Sequence, residues 1–199
     1  FPLSDALLEY DGSCLEPPIF AAGVKGLDVA PSDGAMMETT EARLAARLDG
    51  LRAVGGFLED FADDYDYAVL DCRPGLGALT LGAMLAAGLV IAPVDASRYA
   101  LEGLADMLAA GRRLADENGW RGHYRLLVNR HNPRRATAAW LDDQLSFAGA
   151  PHFTTRIREG VIYNQAAIMQ RPVMIFAPRG NGAADFKALA AEVETQWPA

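Results

Sequence analysis

The chain has 199 residues, 51% of them hydrophobic and 22% charged, which is enough for one buried core and excludes a fibrous or disordered polymer. Its longest apolar stretches, such as residues 83–94, contain Gly and stop short of the roughly 20 residues a bilayer span needs, and the opening FPLSDALLEYD lacks the basic-then-apolar pattern of a secretory signal. Net charge is −8, yet residues 121–180 carry 9 basic and 3 acidic side chains against 8 and 20 in residues 1–120, a local arginine excess that fits either a face for an anionic partner or an ordinary solvated face.

In chain order, short runs rich in Val, Ile, Leu and Tyr predict strands at 27–30, 66–71, 88–94, 124–129, 152–155 and 173–176. Helix-period stretches separate them at about 38–63, 78–87, 100–118, 135–148, 160–169 and 183–196. Near-continuous apolar strands alternating with helices predict an α/β fold, a doubly wound and mostly parallel sheet with helices on both faces. No repeat, low-complexity segment or long linker divides the chain, so a single domain over residues 1–199 is expected.

Cys14 and Cys72 stand far apart without a CxxC or paired histidines, which argues against a zinc site or a disulfide framework and fits a reducing cytoplasm. His123, His131 and His152 are scattered and read as surface or loop residues. More telling are the polar residues at predicted strand ends, because ligands of open α/β sheets bind where strands finish and helices begin. Asp71 closes one strand, Asp95 follows another, Asn129 ends a third and Pro178 lies just past the last. An Asp beside a phosphate site can order the water shell of Mg²⁺, an ion that prefers oxygen ligands and keeps several waters. The loop Arg73-Pro74-Gly75-Leu76-Gly77 has the Pro and Gly content of a segment that passes close to a ligand and moves. Taken alone, Asp71 fits a strand-end cap or turn equally well.

The stretch YDYAVLDCRPGLGALTLGAMLAAGLVIAPVDASRYALEGL (65–104) resembles the central block of ParA/MinD-type partition ATPases. LSDALLE (3–9), GLDVAPSD (26–33), LLVNRHNPRRATAAWLDD (126–143), TRIREGVIYNQAAIMQRPVMIFAP (155–178) and GAADFKALAAEV (182–193) follow that family's order at compatible spacing, so the likeness covers nearly the whole chain. The resemblance implies a P-loop NTPase-like fold with ATP and Mg²⁺ as cofactors. It makes Asp71 the Walker B aspartate, acting on Mg²⁺ through water, and Pro74 with Gly75 the switch II turn. Asn129 becomes the polar residue approaching the adenine and Pro178 part of the loop lining the base. A homodimer, a ParB-like activating partner and a cytoplasmic, nucleoid-associated location are implied as well, with a role in plasmid partition, chromosome segregation or cargo positioning.

One departure matters. The family opens with a glycine-rich loop ending in Gly-Lys-Ser or Gly-Lys-Thr, whose backbone N–H groups and lysine grip phosphates. Here only Lys25 and Lys187 exist, neither is followed by Ser or Thr, and GVKG (23–26) reads as a turn before a strand. The expectation is therefore that the first strand, P-loop and first helix lie upstream of Phe1, in a chain that does not begin with Met, and that the sheet left behind has open edges to be covered by another segment. The alternative is a non-catalytic relative that binds or scaffolds without turnover.

By the same resemblance, Arg130, Arg134, Arg135, Arg156, Arg158, Arg171 and Arg179 are candidates for non-specific DNA contact, a phosphate-only contact that weakens with salt. MinD-like relatives end instead in a basic amphipathic membrane helix. The tail FKALAAEVETQWPA sets Lys187 against Glu192 and Glu194, so membrane targeting is not expected.

Overall fold

The computed structural model describes residues 3–8 and 19–196, without the side chains of residues 98–102, 136 and 146–148; Cys14 lies outside the described residues. By contact the chain divides into two compact units, Phe1–Gly88 with Ala109–Gly122, and Leu89–Leu108 with His123–Ala199.

Among its described residues the first unit has helices, one two-stranded ribbon and irregular chain over 60–77. It holds α1 (Leu3–Leu8), the antiparallel strands β1 (Phe20–Val24) and β2 (Leu27–Val29), α2 (Gly34–Ala45), α3 (Ala53–Glu59), α4 (Ala78–Ala86) and the end of α5 (Arg98–Asn118). Lys25 falls in the β1–β2 turn, as GVKG predicts, with Gly23 and Gly26 at φ 71° and 76°. Helix α2 starts at Asp33, whose carboxylate accepts from Ala35 N and Met36 N. The helical pattern read as one element over 38–63 is broken between Ala45 and Ala53, where the chain passes so close to α2 that a Cβ on Gly50 would lie 1.9 Å from the Leu44 carbonyl oxygen. The core is Leu7, Val54 and Ala83, joined by Leu44, Ala53 and Ala78. Helix α5 ends at Gly119, in the left-handed conformation at φ 74°, with Gly119 N donating to Ala115 O and Trp120 N to Leu114 O. The Trp120 indole then donates to Ala87 O at 2.9 Å.

Residues 66–71, predicted as a strand, form none, and Tyr67, Val69 and Leu70 are exposed, Val69 at 92%. A strand exists only through its neighbours, and no described residue pairs with this run. β2 meets the prediction at 27–30 but joins an exposed two-stranded ribbon rather than a parallel sheet.

The second unit carries the parallel sheet. β3 (Leu89–Val94) pairs in register with β4 (His123–Val128), Leu89 opposite His123 through Val94 opposite Val128. Residues 151–158 run along the far side of β4, with bridges at Leu126–His152 and His131–Arg158. The bonds Leu126 N to Pro151 O, Phe153 N to Leu126 O and Ile157 N to Val128 O make an interrupted third strand there. Helix α6 (Ala136–Ala148) lays Leu141 and Leu145 on Val94, Leu126 and Val128, all at most 3% exposed. On another cluster Leu127, Phe153 and Ile157 pack with Tyr163 of α7 (Ile162–Ile168) and with Leu189 and Val193 of α9 (Asn181–Gln196).

The predicted strand at 173–176 is instead a helical turn, α8 (Val173–Phe176). Four apolar residues carry too little periodicity to separate strand from helix, and Pro172 decides it by offering its carbonyl to Ile175 N and Phe176 N. Helix α9 approaches closely, since a Cβ on Gly182 would lie 3.1 Å from both Tyr163 and Val173.

Candidate functional site

The carboxyl ends of β3 and β4 open into a pocket lined by Asp95, Ala96, Val128, Asn129, Arg130, His131, Asn132, Arg135, Thr137, Ala138 and Leu141. The backbone builds it by continuing the ladder one residue, Asn129 N donating to Val94 O at 2.8 Å, and then turning sharply. Arg130 takes φ 51°, a left-handed conformation rare for a side chain of that size, and its N–H donates to Asn129 Oδ1 at 2.9 Å. Asn132 then accepts from Arg134 N, launching α6. The lining is mainly polar, with Asp95, Asn129, Asn132, Arg135 and Thr137 around it and the buried Val128, Ala138 and Leu141 beneath.

Glu159 closes one side of this loop. Its carboxylate accepts from Arg135 at 3.0 Å and from Asn132 Nδ2 at 3.2 Å, while its N–H donates to His131 O. Arg156 is paired with Asp142. Arg158 is held hardest: its Nε and backbone N both lie 3.0 Å from Asp185, which is 7% exposed on α9. Burial pushes the Asp185 carboxyl up, but the Arg158 hydrogen bonds outweigh it and leave the group below the usual carboxylate range. Glu192 behaves alike, with burial raising it and the N–H groups of Thr154 and Thr155, at 2.7 and 2.8 Å, pulling it lower on balance.

A carboxyl whose folded pKa is depressed contributes stability that is present above its unfolded pKa and lost as pH falls through the folded one. Acid unfolding below about pH 4, the ordinary carboxylate value, is therefore expected to be shallower in Glu192→Gln than in the parent chain when followed by circular dichroism. A parallel acid limb in the two proteins would contradict it.

The arginines thus separate into two sets. Arg135, Arg156 and Arg158 are engaged by carboxylates, whereas Arg130, Arg134, Arg171 and Arg179 are exposed and take part in no ion pair among the described residues. Of the base-side residues, Asn129 lines the pocket and Pro178 is exposed just after α8.

Asp71, Pro74 and Gly75 lie in the first unit, all exposed. Asp71 ends no strand, since residues 66–71 join no β-ladder among the described residues. Gly75 has φ 116°, which only glycine adopts without strain, so the loop does need its glycine. Neighbouring Cys72 has its thiol pushed up by burial and by the Asp71 charge. Sequence reading missed Glu41 of α2, whose Oε1 reaches Leu79 N at 3.4 Å across this loop. Its only signal in the sequence is a glycine, Gly77, standing where a helix start favours a side-chain cap.

Compared with known proteins, the family model described as an AAA domain matches residues 7–119. The chromosome-partitioning ATPase Soj of Thermus thermophilus is 33% identical over 171 residues, covering 83% of this chain and 68% of Soj. The chain belongs to the ParA/MinD-type P-loop partition ATPase family. The chromosome partitioning protein ParA of Caulobacter vibrioides is another such relative, 29% identical over 202 residues, with 92% of this chain and 72% of that protein covered. An uncharacterized Mycobacterium tuberculosis protein is 27% identical over 172 residues, 85% of this chain; the chain spans about half its length, 54%. Among solved structures, apo McdA of Cyanothece superimposes with TM-score 0.82 at 16% identity, over 96% of this chain and 77% of McdA. Cobyrinic acid a,c-diamide synthase of Mycobacterium smegmatis, with bound ATP analog and magnesium, gives 0.78 at 19%, over 100% and 74%. These two likenesses establish the fold, the α/β fold of ParA/MinD-type P-loop NTPases. No helix of the described residues is long and apolar enough to cross a membrane.

Proposed function

We propose that the chain works as a single ParA-like ATPase domain, cytoplasmic and nucleoid-associated. ATP and Mg²⁺ are bound between two protomers, the dimer grips DNA without sequence preference, and hydrolysis stimulated by a ParB-like partner releases it. The observation that carries this reading is the pocket beside Asn129, at the carboxyl ends of parallel strands in a ParA-family fold. The amide of Asn129 fits the polar edge of a purine base. Asp71, exposed beside a loop with a glycine-only conformation, fits a carboxylate that acts on Mg²⁺ through water, a role that needs no further protein ligand. Phosphate gripping is not supplied by the lysines of this chain, since Lys25 sits in the β1–β2 turn and Lys187 on α9.

Bound ATP would supply the phosphoryl group that water attacks, with catalysis resting on positioning and charge. In that setting Asn129 orients the base, Asp71 orders water, and Pro74 with Gly75 shapes the moving turn. A non-catalytic ParA-like scaffold is the second reading. In the intact protein, Asn129→Ala is expected to weaken binding of a fluorescent ATP analogue about tenfold, the worth of one or two lost hydrogen bonds at roughly 1 kcal/mol each. Equal affinity in the two proteins would remove the pocket from the site. Turnover abolished by Asp71→Ala supports the enzyme, and binding without turnover in the parent supports the scaffold.

A further inference from the structure

Helix α4 starts immediately after the Arg73–Gly77 loop, and its first turn is capped in an unusual way. The N-cap is Gly77, which has no side chain to offer the free N–H groups of the first turn. The oxygen comes from elsewhere: Glu41, 36 residues earlier on α2, places Oε1 3.4 Å from Leu79 N. Glycine is required for this approach, because a Cβ at Gly77 would lie 1.8 Å from that same Oε1. One turn earlier on α2, Glu38 reaches Arg73 at 4.0 Å at the other end of the loop. Glu38 and Glu41 are three residues apart and so share a helix face. The loop is therefore tied to α2 at both ends, once by a carboxylate that favours the positive end of α4 and once by an exposed, weak ion pair.

We propose that Glu41 is a positioning residue for the Arg73–Gly77 loop, a cap supplied from α2 that couples the setting of that loop to α2. This rests on the reading of the loop as the moving turn of a nucleotide site. If the loop shifts on nucleotide binding, the bond from Leu79 N to Glu41 is the contact that must lengthen or follow, so α2 feels the change. α2 is then the element through which a bound partner would alter the loop.

Two substitutions separate coupling from mere stability. Glu41→Ala removes the cap. Gly77→Ser keeps a cap, because Ser is a favoured N-cap residue, but its side chain occupies the place of the Glu41 carboxylate and displaces that flexible group. Backbone amide exchange read by mass spectrometry on the intact protein without nucleotide tests the tie itself. Exchange at the Leu79 amide, the donor to Glu41, is expected to rise about three- to tenfold in Glu41→Ala, the worth of one net hydrogen bond. In Gly77→Ser that amide should stay protected by the new hydroxyl, and Glu41→Ala on that background should change nothing further. No rise at Leu79 in Glu41→Ala, or a further rise when Glu41→Ala is added to Gly77→Ser, would overturn the proposal. Adding a non-hydrolysable ATP analogue with Mg²⁺ forms a separate arm. An unchanged loop in the parent would count against the nucleotide reading, while the exchange pattern of the variants would still decide the tie.

Discussion

Replacing Arg130, Arg134 and Arg171 together by Gln is expected to cut retention of the intact protein on non-specific duplex DNA by about two to three orders of magnitude at 0.1 M salt. Each phosphate neutralised contributes about 0.9 to the slope of log affinity against log salt. Three lost contacts remove roughly 2.7 from that slope, a factor of about 500 between 1 M and 0.1 M salt. The three belong, with Arg179, to the exposed arginines that bear no ion pair among the described residues. Gln rather than Ala is used because Arg130 sits at φ 51° and the change should touch charge alone. Arg156→Gln is the control. Its guanidinium is engaged by Asp142, so the slope should hardly move. Titrating salt in a filter-retention assay decides the matter, and a triple variant with the parent slope would remove these arginines from any nucleic-acid role.

The second large effect concerns stability. Arg158→Ala is expected to destabilise the fold, because it leaves Asp185, only 7% exposed, without its cation and without the Nε donor. The exposure of the Arg158 side chain, 43%, moderates the loss through solvent screening. Arg158→Ala combined with Asp185→Asn should recover part of the loss, since the uncompensated buried charge is then gone. Urea unfolding with unchanged m-values reads both changes. Because this pair joins the interrupted third strand to α9, a nucleic-acid defect in Arg158→Ala would have to be corrected for unfolded protein before Arg158 is credited with any DNA contact.

Apolar run length and the residues at run ends carried much of the architecture. LVIAPV and YRLLVN are nearly uninterrupted apolar runs, and they became the paired strands β3 and β4, with Val94, Leu126 and Val128 in the core while Ile91 and Pro93 stay exposed. The loop glycine at 75 was legible for the same kind of local reason, a conformation that only glycine takes. The run at 66–71 looks identical on paper and forms no strand, because pairing belongs to the neighbour as much as to the run. VMIF was misread for a related reason: four residues fit either period, and a proline carbonyl settled the outcome.

The candidate site shows the same division. Residue identity pointed to Asp71, Asn129 and the arginine-rich region, since charge, amide chemistry and chain position are local properties. Which arginines stay exposed and outside ion pairs, which ones Glu159, Asp142 and Asp185 engage, and that Glu41 caps a helix 36 residues away were decided only by tertiary packing. The physical reason is that an ion pair or a borrowed cap depends on distance in space, and distance in space between residues far apart in sequence is set by the fold and written nowhere in the local spacing.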